Sequence, residues 1–243
     1  MKTLVVLPSY NEALNIVQVT QAILDANAQA SVCIVDDSSP DGTADLLRTA
    51  IGDKPAWRDR VHLIVRAKKD GRGGAVRDGF SWGLSQAEPF AAFVEMDCDF
   101  SHEPSAIPEG LALLEAGNDV VIGARYPNGT IIGWPARWRA FSFAANLLAR
   151  SLLSWSVADF TNGFRFYSPR AVQVLISKPQ QHKGYIYLSE SLSYLLNAGF
   201  RVASFPITFK NRDRGVSNTT ASEILHALRG IVLIGISHHR RSS

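Results

Sequence analysis

Short apolar runs alternate with stretches of helical periodicity from the N-terminus onward. Leu4–Leu7 is uniformly apolar and is ended by Pro8, the pattern of a strand buried on both faces. Between Ala13 and Ala28, the residues Ile16, Val19, Ile23 and Leu24 recur at helical spacing. Val32–Val35 predicts a second buried strand, stopped by the dense turn signal Asp36-Asp37-Ser38-Ser39-Pro40-Asp41-Gly42, and a short helix follows over Thr43–Ala50. The alternation continues with strands at Val61–Val65, Ala91–Glu95 and Val120–Ile122 and helices over Gly73–Gln86 and Pro104–Ala116. Strands and helices in strict turn, joined by short loops, predict an α/β fold with a mostly parallel sheet covered on both faces. Ligands bind such sheets at the carboxyl ends of the strands. Those ends carry Tyr10-Asn11-Glu12, Asp36-Asp37, Asp97-Cys98-Asp99 and Arg125-Tyr126.

Beyond residue 130 the pattern changes. Phe141, Ala145, Leu148, Leu152 and Trp155 fall at helical spacing, so Trp134–Trp155 predicts an amphipathic helix, with Trp138, Arg137, Arg139 and Arg150 along it. A strand is expected over Val202–Phe209, and a strongly apolar helix over Ser222–Ile236 before His238-His239-Arg240-Arg241. No repeat or linker interrupts the chain, so 1–243 is expected to be one domain. Hydrophobic residues make up 46% and charged residues 19%, which excludes wholesale disorder. No apolar run approaches the roughly 18–20 residues of a membrane span. The first apolar run is too short for a secretion signal, and Cys33 and Cys98 support neither a disulfide framework nor a zinc site. A cytoplasmic enzyme-sized domain is expected.

Charge divides the chain. Residues 1–120 hold 10 basic against 18 acidic side chains, and residues 121–243 hold 15 against 4. The second half therefore suits an anionic partner. The aromatics there sit at amphipathic spacing and no nucleic-acid module is recognisable, so nucleic acid is not expected. In the first half, Asp97 and Asp99 stand two apart at the end of an apolar strand, where alternation would point both carboxylates to one side. Such a pair favours a shared hard cation, Mg²⁺ or Mn²⁺. Tyr10, Glu12, Asp36 and Asp37 offer an aromatic face and hydrogen-bond acceptors, and Arg125 offers compensating charge. Gly71-Arg72-Gly73-Gly74 is neither GxGxxG nor a P-loop and reads as a structural turn.

Several segments carry a family resemblance. Pro8-Ser9-Tyr10-Asn11-Glu12, Val35-Asp36-Asp37-Ser38-Ser39-Pro40-Asp41-Gly42-Thr43 and Asp97-Cys98-Asp99-Phe100-Ser101-His102 resemble inverting glycosyltransferases of family 2, with the GT-A fold. Gly123-Ala124-Arg125-Tyr126, Asp159–Arg165, Lys183-Gly184-Tyr185 and Arg212 with Gly215 and Ser217 are similar to dolichyl- or polyprenyl-phosphate mannose synthases within it. The resemblance implies that Pro8, Tyr10, Glu12, Val35, Asp37, Asp97 and Cys98 contact a nucleotide-diphosphate sugar, best GDP-mannose. It implies Asp99 as principal ligand of Mg²⁺ or Mn²⁺, with Asp97 and Ser101 assisting. Arg125 and Arg212 would hold phosphates, and Arg139 and Ser142 would lie toward the acceptor. Residues 1–130 then form a nucleotide and metal half, and 131–243 an acceptor half facing a membrane.

A sugar hydroxyl must lose a proton as it attacks, whereas a phosphate monoester, with a second pKa of about 6, is largely dianionic at neutral pH. Arginines around 125–139 and 201–214 suit the latter, a polyprenyl phosphate. The two amphipathic segments suit peripheral attachment at the cytoplasmic face of a membrane, or packing on a membrane-anchoring subunit or a second copy. Against the family pattern stand Trp138 and Phe143 in place of basic residues, and Asn218 in place of lysine. Two alternatives follow: a hydroxyl acceptor with Asp159 as general base, or a non-catalytic nucleotide-sugar-binding subunit.

Overall fold

The computed structural model describes residues 1–182, 184–211 and 230–238. Nine strands are formed within them: β1 Thr3–Ser9, β2 Ala30–Asp36, β3 Val61–Val65, β4 Ala92–Glu95, β5 Val120–Ala124, β6 Thr130–Ile132, β7 Arg165–Tyr167, β8 Val202–Pro206 and β9 Thr208–Lys210. The helices are α1 Ile16–Ala26, α2 Thr43–Asp53, α3 Arg72–Leu84, α4 Ile107–Glu115, α5 Ala136–Leu152, α6 Pro169–Ser177 and α7 Ile186–Asn197. Residues 230–238 are helical as well. The first seven expected elements of the α/β alternation, Leu4–Leu7 through Ala91–Glu95, correspond to β1 through β4 and the helices between them.

The main sheet has the order β3-β2-β1-β4-β7-β5-β8. All pairings are parallel except those of β7, which runs antiparallel between β4 and β5. Strand alternation divides the core. Leu4 and Val6 of β1 join α3, α6 and α7 in one cluster, while Val5 and Leu7 join α1 and α4 in the other. Both faces are covered, which is why the strands read as continuous apolar runs. Helix α3 packs unusually close. A Cβ at Gly79 would lie 2.5 Å from Val6, and one at Gly83 2.3 Å from Leu4, so only glycine admits that approach.

Three expectations need correction. The strand expected over Val202–Phe209 is two: β8 extends the main sheet beside β5, whereas β9 turns away after Pro206 and pairs with β6 in a separate two-stranded sheet. The strand before the acidic pair ends at Glu95, so Asp97 and Asp99 lie in a loop and strand alternation does not orient them. Strand β7 and helices α6 and α7 were not anticipated. The helix expected over Trp134–Trp155 is α5, and Trp155 lies beyond its end, 60% exposed.

Candidate active site

The loops after β1, β2 and β4 meet at one edge of the sheet, and each carries a non-glycine residue in the left-handed region: Asn11 (φ 60°), Ser38 (φ 56°) and Phe100 (φ 62°). Backbone conformations of this kind cost about 1–3 kcal/mol each and gather where loops are held for a ligand. Hydrogen bonds tie the loops together. The Asn11 N–H donates to Ser39 Oγ (2.9 Å), the Glu12 N–H to Thr43 Oγ1 (3.0 Å) and the Ala13 N–H to Asp41 Oδ2 (3.0 Å). Cys98 Sγ donates to the Pro8 carbonyl (3.4 Å), joining the first loop to the acidic one. Burial, with Glu12 and Asp99 nearby, pushes the Cys98 thiol well up, so it stays protonated.

Asp37 is buried and already engaged: Arg66 Nη1 donates to its Oδ1 (2.5 Å), and the N–H groups of Asp70 and Gly71 to its Oδ2 (3.2 and 3.0 Å). Lys69 of the same segment sits over the Tyr10 ring, 3.6 Å from its centre. Val35 turns its side chain to the core, toward Gly79 of α3, so a ligand there would meet its backbone rather than its side chain. The reason is its place in β2, which is buried along its whole length.

In the acidic loop, Asp99 and Ser101 are buried, and the Ser101 N–H donates to Asp99 Oδ1 (3.0 Å). Asp97 is paired with Arg72, whose guanidinium also grips Glu95. His102 closes the loop. Its Nδ1 accepts the Asp97 N–H (3.1 Å), its Nε2 meets Asn162 Oδ1 (2.9 Å), and its ring stacks on Phe164. With Nδ1 accepting, Nε2 must be the protonated nitrogen. Burial holds the ring's pKa below its ordinary value, and so the imidazole neutral. Among the described residues, no three His, Cys, Asp or Glu side chains gather as a metal centre. The loop offers hard oxygens from Asp99 and Ser101 instead, the kind of partial set that Mg²⁺ or Mn²⁺ completes with water and substrate phosphate.

At the end of β5, Arg125 is buried and doubly paired: Nε and Nη2 donate to the two oxygens of Asp159 (2.9 and 3.0 Å), and Nη2 also donates to Thr161 Oγ1 (2.6 Å). Asp159 further accepts the N–H groups of Arg125, Thr161 and Asn162. Burial alone would raise the carboxyl; the Arg125 charge and these hydrogen bonds outweigh it and hold its pKa low. Asp159 is thus a locked counter-ion, which corrects its candidacy as a general base. Along α5, Ser142 is buried with Ala145, Asn146 and Ala149, whereas Arg137 and Arg139 are exposed at the helix start. Phe143 is 51% exposed. Arg212, Gly215, Ser217, Asn218 and Lys183 lie outside the described residues, as do residues 222–229 of the expected last helix and 239–243.

Sequence reading places His102 and Asn162 within motifs and Arg72 within a turn, but gives none of the three a role at the site. The glycine-rich stretch read as a turn in fact delivers a buried arginine to the acidic loop. The signal available was an arginine between glycines at the start of a helix that follows a strand.

Comparison with known proteins shows the family and the fold. The sequence model described as Glycosyl transferase family 2 matches residues 4–176. The chain is 37% identical over 238 residues to the polyprenol monophosphomannose synthase of Mycolicibacterium smegmatis, covering 97% of this chain and 87% of that protein. It is 31% identical over 237 residues to the undecaprenyl-phosphate mannosyltransferase of Micrococcus luteus, covering 98% and 95%. In fold it is similar to glucosyl-3-phosphoglycerate synthase from Mycobacterium tuberculosis, solved with Mn²⁺, uridine diphosphate and glucosyl-3-phosphoglycerate. The TM-score is 0.68 at 20% identity, over 98% of this chain and 79% of that one. The fold is that of the GT-A glycosyltransferases.

Proposed function

As the chain belongs to glycosyl transferase family 2, we propose that it transfers a hexose, mannose from GDP-mannose, to a polyprenyl phosphate with inversion at the anomeric carbon. The observation that carries the acceptor class is the state of Asp159. The side chain best placed to deprotonate a hydroxyl is buried and held as the carboxylate partner of Arg125, which favours an acceptor that arrives already anionic. The names of both relatives specify a polyprenyl phosphate and mannose, which supports the same reading.

In this reading the donor lies across the loops after β1, β2 and β4, with Tyr10, Glu12 and Asp37 toward the nucleoside. Asp99 and Ser101 would hold Mg²⁺ or Mn²⁺, with Asp97 beside them. Such an ion, when bound, neutralises the charge that develops on the departing diphosphate. Arg125, fixed on one edge by Asp159, supplies a constant positive charge at the end of β5 without needing to reorganise. Arg137 and Arg139, exposed at the head of α5, meet the incoming phosphate. One of its oxygens forms a bond to the anomeric carbon as the bond to the diphosphate breaks on the opposite face.

The outer side of the second half supports attachment to a membrane surface. Phe143 and Leu147 of α5 are exposed, as are Val232, Leu233 and Ile236 of the helical residues 230–238, and Gly235 lies against Leu152 of α5. No helix among the described residues is long and apolar enough to cross a membrane. Apolar faces flanked by arginine suit the lipid interface, where each basic residue adds about 1 kcal/mol near anionic lipid.

The test is incubation with a polyprenyl phosphate, Mg²⁺ and a panel of nucleotide sugars, scored for glycolipid. Mannosyl-phosphoryl lipid from GDP-mannose is expected. Folded protein that makes no lipid product with any donor, or that glycosylates a free hydroxyl, overturns the proposal.

A further inference from the structure

Three hydrogen bonds in series join the loop after β4 to β5. The Asp97 N–H donates to His102 Nδ1 (3.1 Å), His102 Nε2 meets Asn162 Oδ1 (2.9 Å), and Asn162 Nδ2 donates to the Gly123 carbonyl. A backbone N–H only donates and a carbonyl only accepts, so the two ends fix the role of every group between them. The imidazole carries its proton on Nε2, the Asn162 amide turns its oxygen to the ring, and all three bonds run one way, from the acidic loop to β5.

Both side chains in this series are buried, His102 fully and Asn162 to within 2%. The ring is held in line by stacking on Phe164 (5.2 Å between centres) and by an edge contact with Phe209 (5.5 Å). The far end is equally fixed. Gly123 lies in β5 just before Arg125, and the Asn162 N–H donates to Asp159 Oδ1 (3.1 Å), on the carboxylate that clamps Arg125. Asn162 therefore touches the acidic loop through His102 and the Arg125 clamp through Gly123 and Asp159. Two further ties hold the loop, the Lys210 N–H on the Ser101 carbonyl and Arg72 between Asp97 and the Gly163 carbonyl, and neither ends on β5.

We propose that His102 and Asn162 act together as positioning residues, a one-way hydrogen-bond series that sets the acidic loop against Arg125. This deepens the transfer reading above and rests on it. In that reading Asp99 and Ser101 hold the ion on the diphosphate while Arg125 presents a fixed charge, and the two must stay in register across the reacting groups. A misplacement of about 1 Å, even from a change remote from the chemistry, costs about 10²-fold in rate. Bonds in series polarise one another, so the loss of one weakens the rest.

The experiment uses the full chain and three variants: His102→Phe, which keeps an aromatic ring on Phe164, Asn162→Ala, and the two combined. Sugar transfer, binding of GDP with Mg²⁺, and amide hydrogen exchange by nuclear magnetic resonance are measured on each. Each single variant is expected to lower kcat about 10²-fold while GDP affinity changes less than about threefold, because the ties between the loops after β1 and β2 are untouched. The double variant should be about as slow as the slower single variant, since a series broken once is already broken. Exchange reports the tie without turnover. In Asn162→Ala the Asp97 amide, whose acceptor is not the substituted residue, should exchange at least about tenfold faster while the amides of β1 keep the parental rate. A merely structural role lowers protection of the loop and of β1 together and leaves kcat per folded molecule unchanged. The proposal is overturned if Asp97 keeps its parental protection in Asn162→Ala, if either single variant keeps kcat within about threefold of the parent, or if the two losses multiply in the double variant. Should the parent transfer no sugar to any acceptor, the transfer reading fails, and the exchange of the Asp97 amide alone decides whether the series holds the loop. Where Asn162→Ala does not fold, Asn162→Leu, which fills a similar volume without either hydrogen bond, takes its place.

Discussion

In residues 1–124, acids at the strand ends meet arginines from the same half: Asp37 with Arg66, and Glu95 and Asp97 with Arg72. Beyond residue 124 the strand-end charge is an arginine, Arg125, matched by Asp159, while Arg137 and Arg139 stand exposed on α5. The net charges of the two halves, opposite in sign, conceal this difference in wiring. The acidic half neutralises part of its own charge internally, which, on the proposed reading, would keep a carboxylate-lined cleft from repelling a nucleotide diphosphate. The basic half commits one arginine to a buried clamp and leaves Arg137 and Arg139 facing outward, where, on the proposed reading, an anionic acceptor or lipid surface would supply the missing charge. Both halves converge on the segment 159–163. Asp159 holds Arg125, Asn162 meets His102 and donates to the Gly123 carbonyl, and the Gly163 carbonyl receives Arg72.

The comparison breaks most sharply at Asp99. Replacing Asp99 by Ala should lower turnover by about 10²–10³-fold or more, the scale of losing one preorganised electrostatic element of a transition state. The far-ultraviolet circular dichroism should be unchanged, because Asp99 belongs to a loop. Near-normal turnover in Asp99→Ala would remove it from the site.

Asp159→Asn attacks the other half through stability. It leaves Arg125 buried without its counter-charge, a change that costs about 3–5 kcal/mol, measured as a shift in the urea midpoint. The pH dependence sharpens the test. The folded pKa of Asp159 lies below its unfolded value, so the clamp contributes fully above the ordinary carboxylate value of about 4 and is lost as pH falls through the folded value. The stability gap between the parent and Asp159→Asn should therefore narrow on acidification below that range. A gap independent of pH would mean that the carboxylate charge contributes nothing.

These networks were only partly legible in the amino-acid order. Local pattern sufficed for β1 to β5 and α1 to α4, because each strand is a short apolar run and each helix follows a strand and a turn signal, so that both are decided within a few positions. Strand β7 escaped notice because Arg165-Phe166-Tyr167 begins with an arginine, whose fork donates to the carbonyls of Phe160, Asn162 and Leu188. Only its neighbours β4 and β5 define it as a central strand. Helix α6 did carry a local signal, Ser168 before Pro169, and Ser168 Oγ accepts the Ala171 N–H as a cap should. The acids of the site were visible as motifs. Their cations were not, since Arg72 reaches residues 23 to 91 positions away and Arg125 meets Asp159 across 34.

Gly163→Ala probes the point where the halves touch. Its Cβ would intrude on Arg72, and overpacking of that kind costs about 1–3 kcal/mol. In the Arg72→Met/Glu95→Gln background the same substitution should cost less, because the group it strikes is gone. Equal costs in the two backgrounds, read by a double-mutant cycle, would show that Gly163 is kept for a reason other than Arg72.

The smallest expected effect belongs to Arg139. It is exposed at the head of α5, so its attraction for an acceptor phosphate amounts to about 1 kcal/mol, or roughly fivefold in affinity. Arg139→Ala should raise the acceptor KM by that factor and leave the donor KM unchanged, because the donor loops lie at the ends of β1, β2 and β4. Screening supplies the decisive control. The Debye length falls from about 10 Å at 0.1 M salt to 3 Å at 1 M, so the difference between the parent and Arg139→Ala should fade as salt is raised. An effect confined to the donor KM, or one insensitive to salt, would place Arg139 on the nucleotide side and erase the division of labour between the halves at that position.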